Sequence, residues 1–344
     1  MMSVLTRVFV VASLAWATGS AQQVPLPTPT SRSMTVHVEV AADKGPPVKG
    51  LTQQSFKLLD NKVERPITSV KEVQAGSGPV SVILVVDAVN LPYTRVAYAR
   101  AQVQKFLKAN GGHLAQPTTI AIVTDKGAQI QKGFSTDGNT LSAGLGQFDI
   151  GLRAIRRDSG FWGADERVQI SLKALREMIA YSGSLPGRKL VMWVSPGWPL
   201  LSGANIDLDN RQREGIFKDV VSLSGAMQQA NVTLYDVDPL GPEESLLRSD
   251  YYRAFLKGVS KPGQTDIADL SLQVLAMQSG GLVATGNSDV AGNLAKYTAD
   301  VEGGYDVTFA TTVPERADEY HHLQVEVSTP GVIARTRDGY YAQP

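Results

Sequence analysis

The middle of this chain alternates short runs of nearly continuous apolar residues with longer segments of helical spacing. The first run, residues 80–86 (VSVILVV), is apolar and β-branched, as expected for a strand covered on both faces. Residues 93–109 then repeat apolar side chains at the spacing of one helix face. Because parallel strands need helical crossovers, this alternation predicts an α/β domain over residues 79–301 with a doubly wound, mostly parallel sheet. The further predicted strands are residues 119–123, 190–194, 232–237 and 281–284, with a more polar edge strand at 129–135; the further predicted helices are residues 167–181, 215–230, 269–279 and 289–301.

Both flanks of this domain carry strand patterns without helices. Residues 34–40 (MTVHVEV) alternate apolar and polar side chains, which predicts a half-buried strand. Neither flank is expected to be stable alone, so we expect them to pair into one small β-sandwich subdomain beside the α/β domain. The N-terminal β segment (34–75) contributes strands at 34–40, 56–59 and 67–73, and the C-terminal β segment (302–344) contributes strands at 305–311, 323–327 and 332–336.

The first residues have the features of an export signal. Arg7 precedes an apolar run at residues 8–17, and small residues follow at 19–21. This predicts a cleavable signal peptide at residues 1–21, with an uncleaved membrane anchor as the alternative. Residues 22–33 contain three prolines at alternate positions and are predicted to be an extended linker. We therefore expect a periplasmic or secreted protein, with no membrane span after signal cleavage.

Composition excludes several classes of function. The chain has 344 residues, 33 basic and 33 acidic side chains and no cysteine. A balanced charge gives no electrostatic reason to expect nucleic acid as a partner. The lack of cysteine excludes disulfides, thiolate metal sites and cysteine nucleophiles.

Three motifs resemble one known family. Residues 48–58 (VKGLTQQSFKL) are similar to the pattern V-x-G-L-T-x-x-D-F-x-L, with Ser55 in place of the Asp. Residues 82–87 (VILVVD) are similar to a first strand that ends in an acidic residue, and residues 330–342 (PGVIARTRDGYYA) are similar to a closing P-G-x-x-x-R-x-R-x-G-Y-Y-A. The chain thus resembles the von Willebrand factor A-like (VWA-like) proteins of the acidobacterial type. The resemblance implies a Rossmann-like VWA fold, an extracytoplasmic location and the binding of a protein partner, as in cell adhesion.

Many members of that family hold Mg²⁺ in a metal-ion-dependent adhesion site, and this chain departs from that pattern. Asp87 matches the first ligand, but Val89 and Leu91 occupy the positions of two serines and carry no side-chain oxygen. No threonine lies between residues 140 and 233 to supply the later ligand, and Pro196 stands where an aspartate is expected. We therefore predict a degenerate, metal-independent site without cofactor. The alternative is a Mg²⁺-dependent adhesion domain with substituted ligands, such as acidic residues at 149, 158 or 165.

The candidate partner-binding residues lie at the carboxyl ends of the predicted strands, where open parallel sheets bind ligands. They are Asp87, Asn90, Phe161, Trp162 and Trp198. The three aromatic residues fall in predicted loops, and large aromatic side chains often anchor protein interfaces. The alternatives are that the aromatic residues cover the sheet edge and that Asp87 caps the following helix.

Signatures of catalysis are sparse. The four histidines form no His-Glu-x-x-His motif, and there is no Gly-x-Ser-x-Gly motif. His321 and His322 could be interpreted as a metal-binding pair, but neighbouring strand residues point to opposite faces and would not chelate one ion. We therefore predict that both are solvated turn residues. Asp236 and Asp238 flank a strand end and are weak evidence for hydrolysis. We expect a non-enzymatic protein, with a hydrolase on the same scaffold as the less favoured alternative.

Overall fold

The computed structural model describes residues 32–42, 45–73, 79–148, 160–199, 207–240, 251–285, 287–299 and 304–342. The predicted signal peptide and most of the predicted linker lie outside these residues. The last two linker residues, Arg32 and Ser33, instead begin the first strand. Within the described residues, no helix combines the length and the apolar character needed to cross a membrane.

The strands are numbered in chain order. They are β1 (Arg32–Ala42), β2 (Phe56–Asp60), β3 (Val63–Arg65), β4 (Ile67–Glu72), β5 (Val80–Asp87), β6 (His113–Thr124), β7 (Gly127–Ile130), β8 (Ser135–Asp137), β9 (Arg188–Val194), β10 (Val232–Val237), β11 (Val283–Ala284), β12 (Tyr305–Thr311), β13 (Glu319–Val327), β14 (Val332–Arg335) and β15 (Gly339–Ala342). The α-helices are α1 (Tyr93–Lys108), α2 (Gly138–Gln147), α3 (Gly160–Gly183), α4 (Asn210–Gln229), α5 (Leu272–Gln278) and α6 (Val290–Ala299).

The central sheet has the strand order β11-β10-β9-β5-β6-β7, and β8 also pairs with β6. Its inner pairs are parallel, whereas β7 and β8 run antiparallel to β6. Counted in chain order from β7, the six strands in line read 3-2-1-4-5-6, which is the doubly wound order of Rossmann-like folds. The predicted fold class is confirmed.

Helices cover both faces of this sheet. Ile83 and Val85 pack on one face with residues of α3, α4 and α5. Val82, Leu84 and Val86 pack on the other face with residues of α1, α2 and α6. Alternate residues of a strand point to opposite faces, so a strand covered on both sides needs apolar residues throughout. This explains the unbroken apolar run of β5.

The remaining strands form two four-stranded sheets, β14-β1-β12-β4 and β15-β13-β2-β3. Each sheet combines N-terminal and C-terminal strands; for example, Val36 of β1 lies opposite Val307 of β12. The apolar residues of both sheets form a single core, which includes Met34, Val38 and Phe309. The predicted β-sandwich formed by the two chain ends is confirmed.

Several elements differ from the sequence prediction. The predicted edge strand at 129–135 is two short strands, β7 and β8, and α3 begins at Gly160 and not at residue 167. Helix α2 was not predicted, because its sequence (GNTLSAGLGQ) is rich in glycine, a poor helix former. It is held by Asp137, whose side chain accepts hydrogen bonds from the first turn, and by the buried Leu141 and Leu145. Tertiary packing therefore outweighs local propensity at α2.

A buried ion-pair group joins the sandwich to the α/β domain. Glu39 of β1 accepts a hydrogen bond from Arg188 Nη2 of β9 at 2.7 Å. Its second carboxylate oxygen lies 3.5 Å from Arg335 Nη2 of β14. The side chains of Glu39 and Arg188 are each 9% exposed. One carboxylate therefore links three strands that lie far apart in the sequence.

Candidate functional site

Asp87 ends the central strand β5, and its carboxylate is fully enclosed by protein donors. Oδ1 accepts hydrogen bonds from the backbone N–H groups of Val89 at 3.0 Å and Asn90 at 2.9 Å. Oδ2 accepts hydrogen bonds from Asn90 Nδ2 at 2.8 Å, Trp193 Nε1 at 3.0 Å and Ser195 Oγ at 2.9 Å. Asp87 itself has 0% exposed surface. Its negative charge is thus compensated by five hydrogen bonds from the chain.

Asn90 connects this carboxylate to helix α3. Its Nδ2 also donates to Ser171 Oγ at 2.9 Å, and Ser171 Oγ in turn donates to the carbonyl oxygen of Arg167 at 2.7 Å. The sequence prediction included Asn90 but missed Ser171. Local sequence carries no signal for Ser171, because a serine within a helix commonly bonds the preceding turn and nothing more.

The residues between β5 and α1 are apolar where the family pattern has serines. Val89 packs into the core on the α3 side of the sheet, and Leu91 packs into the core on the α1 side. Both side chains are buried. The N-cap position of α1 is Pro92, which makes no side-chain cap hydrogen bond. The suggestion that Asp87 caps this helix is therefore wrong: Asp87 instead caps the turn at residues 88–90.

Trp198 is 2% exposed, so the prediction that it presents a surface to a partner is wrong in this structure. Its ring meets the ring of Trp193 edge-on, with centroids 5.5 Å apart. Gly197 before it has φ +87°, and an added Cβ would lie 2.2 Å from Gln273 Nε2. A larger residue than glycine would be strained there. Trp198 covers the sheet edge, as the alternative interpretation held.

Trp162 lies in the first turns of α3 and not in a loop, and it is 78% exposed. It precedes Ser171 by nine residues, so at the helical rise it lies about 13 Å beyond the point where α3 contacts Asn90. Tyr93 begins α1 and is 77% exposed. Among the described residues, Trp162 and Tyr93 are therefore two exposed aromatic side chains at the carboxyl edge of the sheet. Phe161 also belongs to α3, but its side chain is not among the parts of the chain that the structure describes.

Asp236 is a second enclosed carboxyl group on the same face of the sheet. It lies opposite Trp193 in the register of β10 and β9 and has 0% exposed surface. Burial, and next the charge of Asp238, raise the pKa of Asp236 well above its usual value, while the nearby side chain of Gln273 partly offsets the increase. By distance and angle, both carboxyl oxygens of Asp236 are buried without a hydrogen-bond partner among the described residues. Asp238 itself accepts a hydrogen bond from the backbone N–H of Leu240 at 2.8 Å. Among the described residues, no group of three or more His, Asp or Glu is arranged to hold a metal ion.

Replacing Asp236 with asparagine is expected to remove one contribution that lowers stability as pH rises. In the folded protein Asp236 retains a proton that the unfolded chain releases near pH 4, so the free energy of unfolding falls as pH rises. This single group contributes a slope of about 1.4 kcal/mol per pH unit between its unfolded and folded pKa values. Urea unfolding of Asp236→Asn across this range should give a slope that is more positive than that of wild type by about this amount. An unchanged slope would contradict the assignment, and Asp219→Asn, at an exposed ion pair, serves as the control.

His321 and His322 differ from the prediction that both are solvated turn residues. Both lie in strand β13; His322 is exposed, but His321 is 4% exposed. His321 Nδ1 hydrogen-bonds Asp60 at 2.7 Å, and Tyr340 Oη donates to the other Asp60 oxygen at 3.2 Å. Arg65 Nε lies 3.5 Å from that same oxygen. This group is enclosed in the sandwich, where it joins β2, β3, β13 and β15.

The strand order and the enclosed carboxylate at the sheet edge define a Rossmann-like α/β protein with an attached β-sandwich. No protein-family model matches the chain, and no curated protein sequence matches it. The crystal structure of the TFIIH p34 N-terminal domain is similar in fold, with 12% sequence identity over 64% of this chain and 96% of that chain and a TM-score of 0.33. The crystal structure of the SpRpn10 VWA domain has 10% identity over 66% of this chain and 98% of that chain, with a TM-score of 0.28. Both similarities concern the fold alone.

Proposed function

We propose that this chain is an exported VWA-like module that binds a protein partner without a metal ion at Asp87. The observation that carries the proposal is the five hydrogen bonds to the Asp87 carboxylate. A divalent cation prefers carboxylate oxygens that are open to it, together with further oxygen ligands. Here such an ion would have to displace Trp193 and Ser195 from the carboxylate. Val89 and Leu91, in the positions of the family's two serines, have no side-chain oxygen to offer it and are packed into the core on opposite faces of the sheet.

Divalent ions are expected to leave the thermal midpoint of unfolding unchanged. A ligand that binds only the folded state raises its stability, by about 2.7 kcal/mol when present at 100 times its Kd. For a domain of the size of residues 79–301, such a gain in stability corresponds to a rise of about 5–10 °C in the thermal midpoint of unfolding. Melting curves with Mg²⁺, Mn²⁺ or EDTA test this. A shift with Mg²⁺ or Mn²⁺ that disappears in Asp87→Asn would favour the Mg²⁺-dependent alternative.

Trp162 is the best candidate to contact the partner. Its exposure at the start of α3, on the same sheet edge as Tyr93, matches the aromatic anchors that dominate binding energies in protein interfaces. Replacement of such an anchor by alanine typically weakens binding by about 2 kcal/mol or more, or roughly thirtyfold.

The test compares capture of cell-envelope proteins by wild type, by Trp162→Ala and by a matched control, Val313→Ala. Val313 is also an exposed apolar residue, but it lies in the sandwich after β12. The expected result is a specific band captured by wild type and Val313→Ala and lost with Trp162→Ala. Equal capture by all three would exclude Trp162 from the binding surface.

Export and the lack of catalysis also belong to this proposal. Export is supported by the signal-like residues 1–21. A binding role without catalysis is supported by the enclosure of the titratable groups discussed above, since Asp87, Asp236 and the His321–Asp60 pair are all buried. A group without access to substrate cannot transfer a proton to it.

A further inference from the structure

A small cavity lies at the amino-terminal edge of the central sheet, opposite the edge that holds Asp87. It is bounded by the starts of β9 and β10, by the ends of α4 and α5, and by β1 and β14 of the sandwich. Its volume of about 60 Å³ holds about four water molecules, which is comparable to one tetrahedral oxyanion. Thr35, at its rim, is exposed, so the cavity opens to solvent. The polar lining includes His37, Glu39, Arg188, Ser279, Arg335 and Arg337.

The lining carries an excess of positive charge. Three arginines and one carboxylate line the cavity, so the charge is +2 when His37 is neutral. Glu39 is shared between Arg188 and Arg335 through its two oxygens. A guanidinium has five N–H donors, and Nε of Arg188 is buried with no hydrogen-bond acceptor among the described residues. Arg335 Nη1 also donates to the carbonyl oxygen of Gly280, and Arg337 Nε donates to that of Gly339. The positive charge that Glu39 does not compensate and the Nε of Arg188 are therefore what the cavity offers to an anion.

His37 adds a buried acceptor to this set of donors. Its Nδ1 lies 3.0 Å from the carboxylate of Asp306, which can only accept, so Nδ1 carries the proton and Nε2 is an acceptor. Burial, and next the charge of Arg188, lower the pKa of His37, so the ring is neutral at pH 7. Nε2 is buried and lies 3.7 Å from Glu39 Oε1, beyond hydrogen-bond distance, so it has no hydrogen-bond partner in the part of the chain that the structure describes.

We propose that this cavity binds inorganic phosphate in its monoprotonated form. Its oxygens would accept hydrogen bonds from the arginines, and its single O–H would donate to His37 Nε2. Arginine is well suited to such oxyanions because its planar fork makes charge-assisted, bidentate hydrogen bonds. Sulfate has the same shape but no proton near pH 7, so it would place an oxygen lone pair against His37 Nε2. The site therefore distinguishes the two anions.

Isothermal titration calorimetry tests this proposal. The chain without the predicted signal peptide, residues 22–344, is titrated with sodium phosphate, sodium sulfate or glycerol phosphate at constant ionic strength near pH 7.5. Phosphate is expected to bind. Sulfate is expected to bind more weakly by a factor of about ten or greater, because it leaves the buried acceptor His37 Nε2 unpaired. Glycerol phosphate has its second pKa at about 6 and is almost fully deprotonated at this pH, so it is expected to bind as weakly as sulfate. No binding of inorganic phosphate, or equal binding of sulfate or glycerol phosphate, would overturn the proposal.

Variants separate the site from a general effect of charge. Arg335→Gln keeps the Arg188–Glu39 pair and should weaken phosphate binding about tenfold or more, since a charge-assisted hydrogen bond is lost. His37→Asn should reduce the preference for phosphate over sulfate. Arg176→Gln, at an exposed pair on α3, should bind like wild type. Circular dichroism checks that each variant is folded, and wild-type affinity and selectivity in both folded cavity variants would overturn the assignment.

Discussion

Replacing Asp87 with alanine is expected to lower the free energy of unfolding by about 4–5 kcal/mol, a loss near the upper limit for single substitutions. The reason is that five buried donors lose their acceptor at once. Each donor left without a partner costs about 1–3 kcal/mol, although such costs do not add fully within one network. Urea unfolding followed by tryptophan fluorescence measures the loss and also reports on Trp193, one of the donors.

Asp209→Ala is the matched control for this prediction. Asp209 also accepts a backbone hydrogen bond, from Gln212 at 2.8 Å, but it is an exposed N-cap of α4. Its replacement should lower the free energy of unfolding by about 1 kcal/mol. If Asp87→Ala loses no more stability than Asp209→Ala, the Asp87 carboxylate is not held by its five donors. It would then be open to a cation, and the metal-independent proposal would fail.

Replacing Glu39 with alanine is expected to cost about 3–5 kcal/mol, which is the range measured when one partner of a buried ion pair is removed. The substitution leaves Arg188 charged and unpaired at the junction of the sandwich and the α/β domain. Arg335 loses the same partner but is 22% exposed, so water can compensate part of its loss. Glu39→Gln, which keeps an acceptor for Arg188, should lose less than Glu39→Ala.

The control for Glu39 is Asp219→Ala. Asp219 accepts a hydrogen bond from Arg176 at 2.7 Å, the same distance as in the Glu39–Arg188 pair, but both partners are 44% exposed. An exposed pair contributes about 0–1 kcal/mol, so this variant should unfold nearly like wild type. Equal losses in Glu39→Ala and Asp219→Ala would show that burial of the Glu39 group does not govern its contribution.

Much of the fold could be predicted because helices and strands leave a periodic pattern in the sequence. Strand β5 and helix α1 were predicted almost to their ends, since β5 is a nearly unbroken apolar run and the apolar residues of α1 recur at helical spacing. The sandwich was predicted from residue alternation and from the instability expected of each flank alone. Helix α2 was missed because its packing, and not its sequence, stabilises it.

The candidate site was only partly predicted. Asp87 and Asn90 follow a buried strand and were found from that position alone. Ser171, Trp193 and Ser195 were missed as their partners, because they lie 81 to 108 residues away from the residue they bond. Trp198 was predicted as a possible surface anchor because a loop between prolines resembles an exposed segment, and only the packing around it shows that it is buried.

The sequence by itself determined the alternation of strands and helices and the apolar residues at positions 89 and 91, since both follow from the order of side chains along the chain. The tertiary structure decided which donors surround Asp87, that Glu39 joins three strands, and that His321 is enclosed. The physical reason is that repeating patterns reflect hydrogen bonding within one element, whereas a buried polar group must find its partners wherever the packed chain brings them.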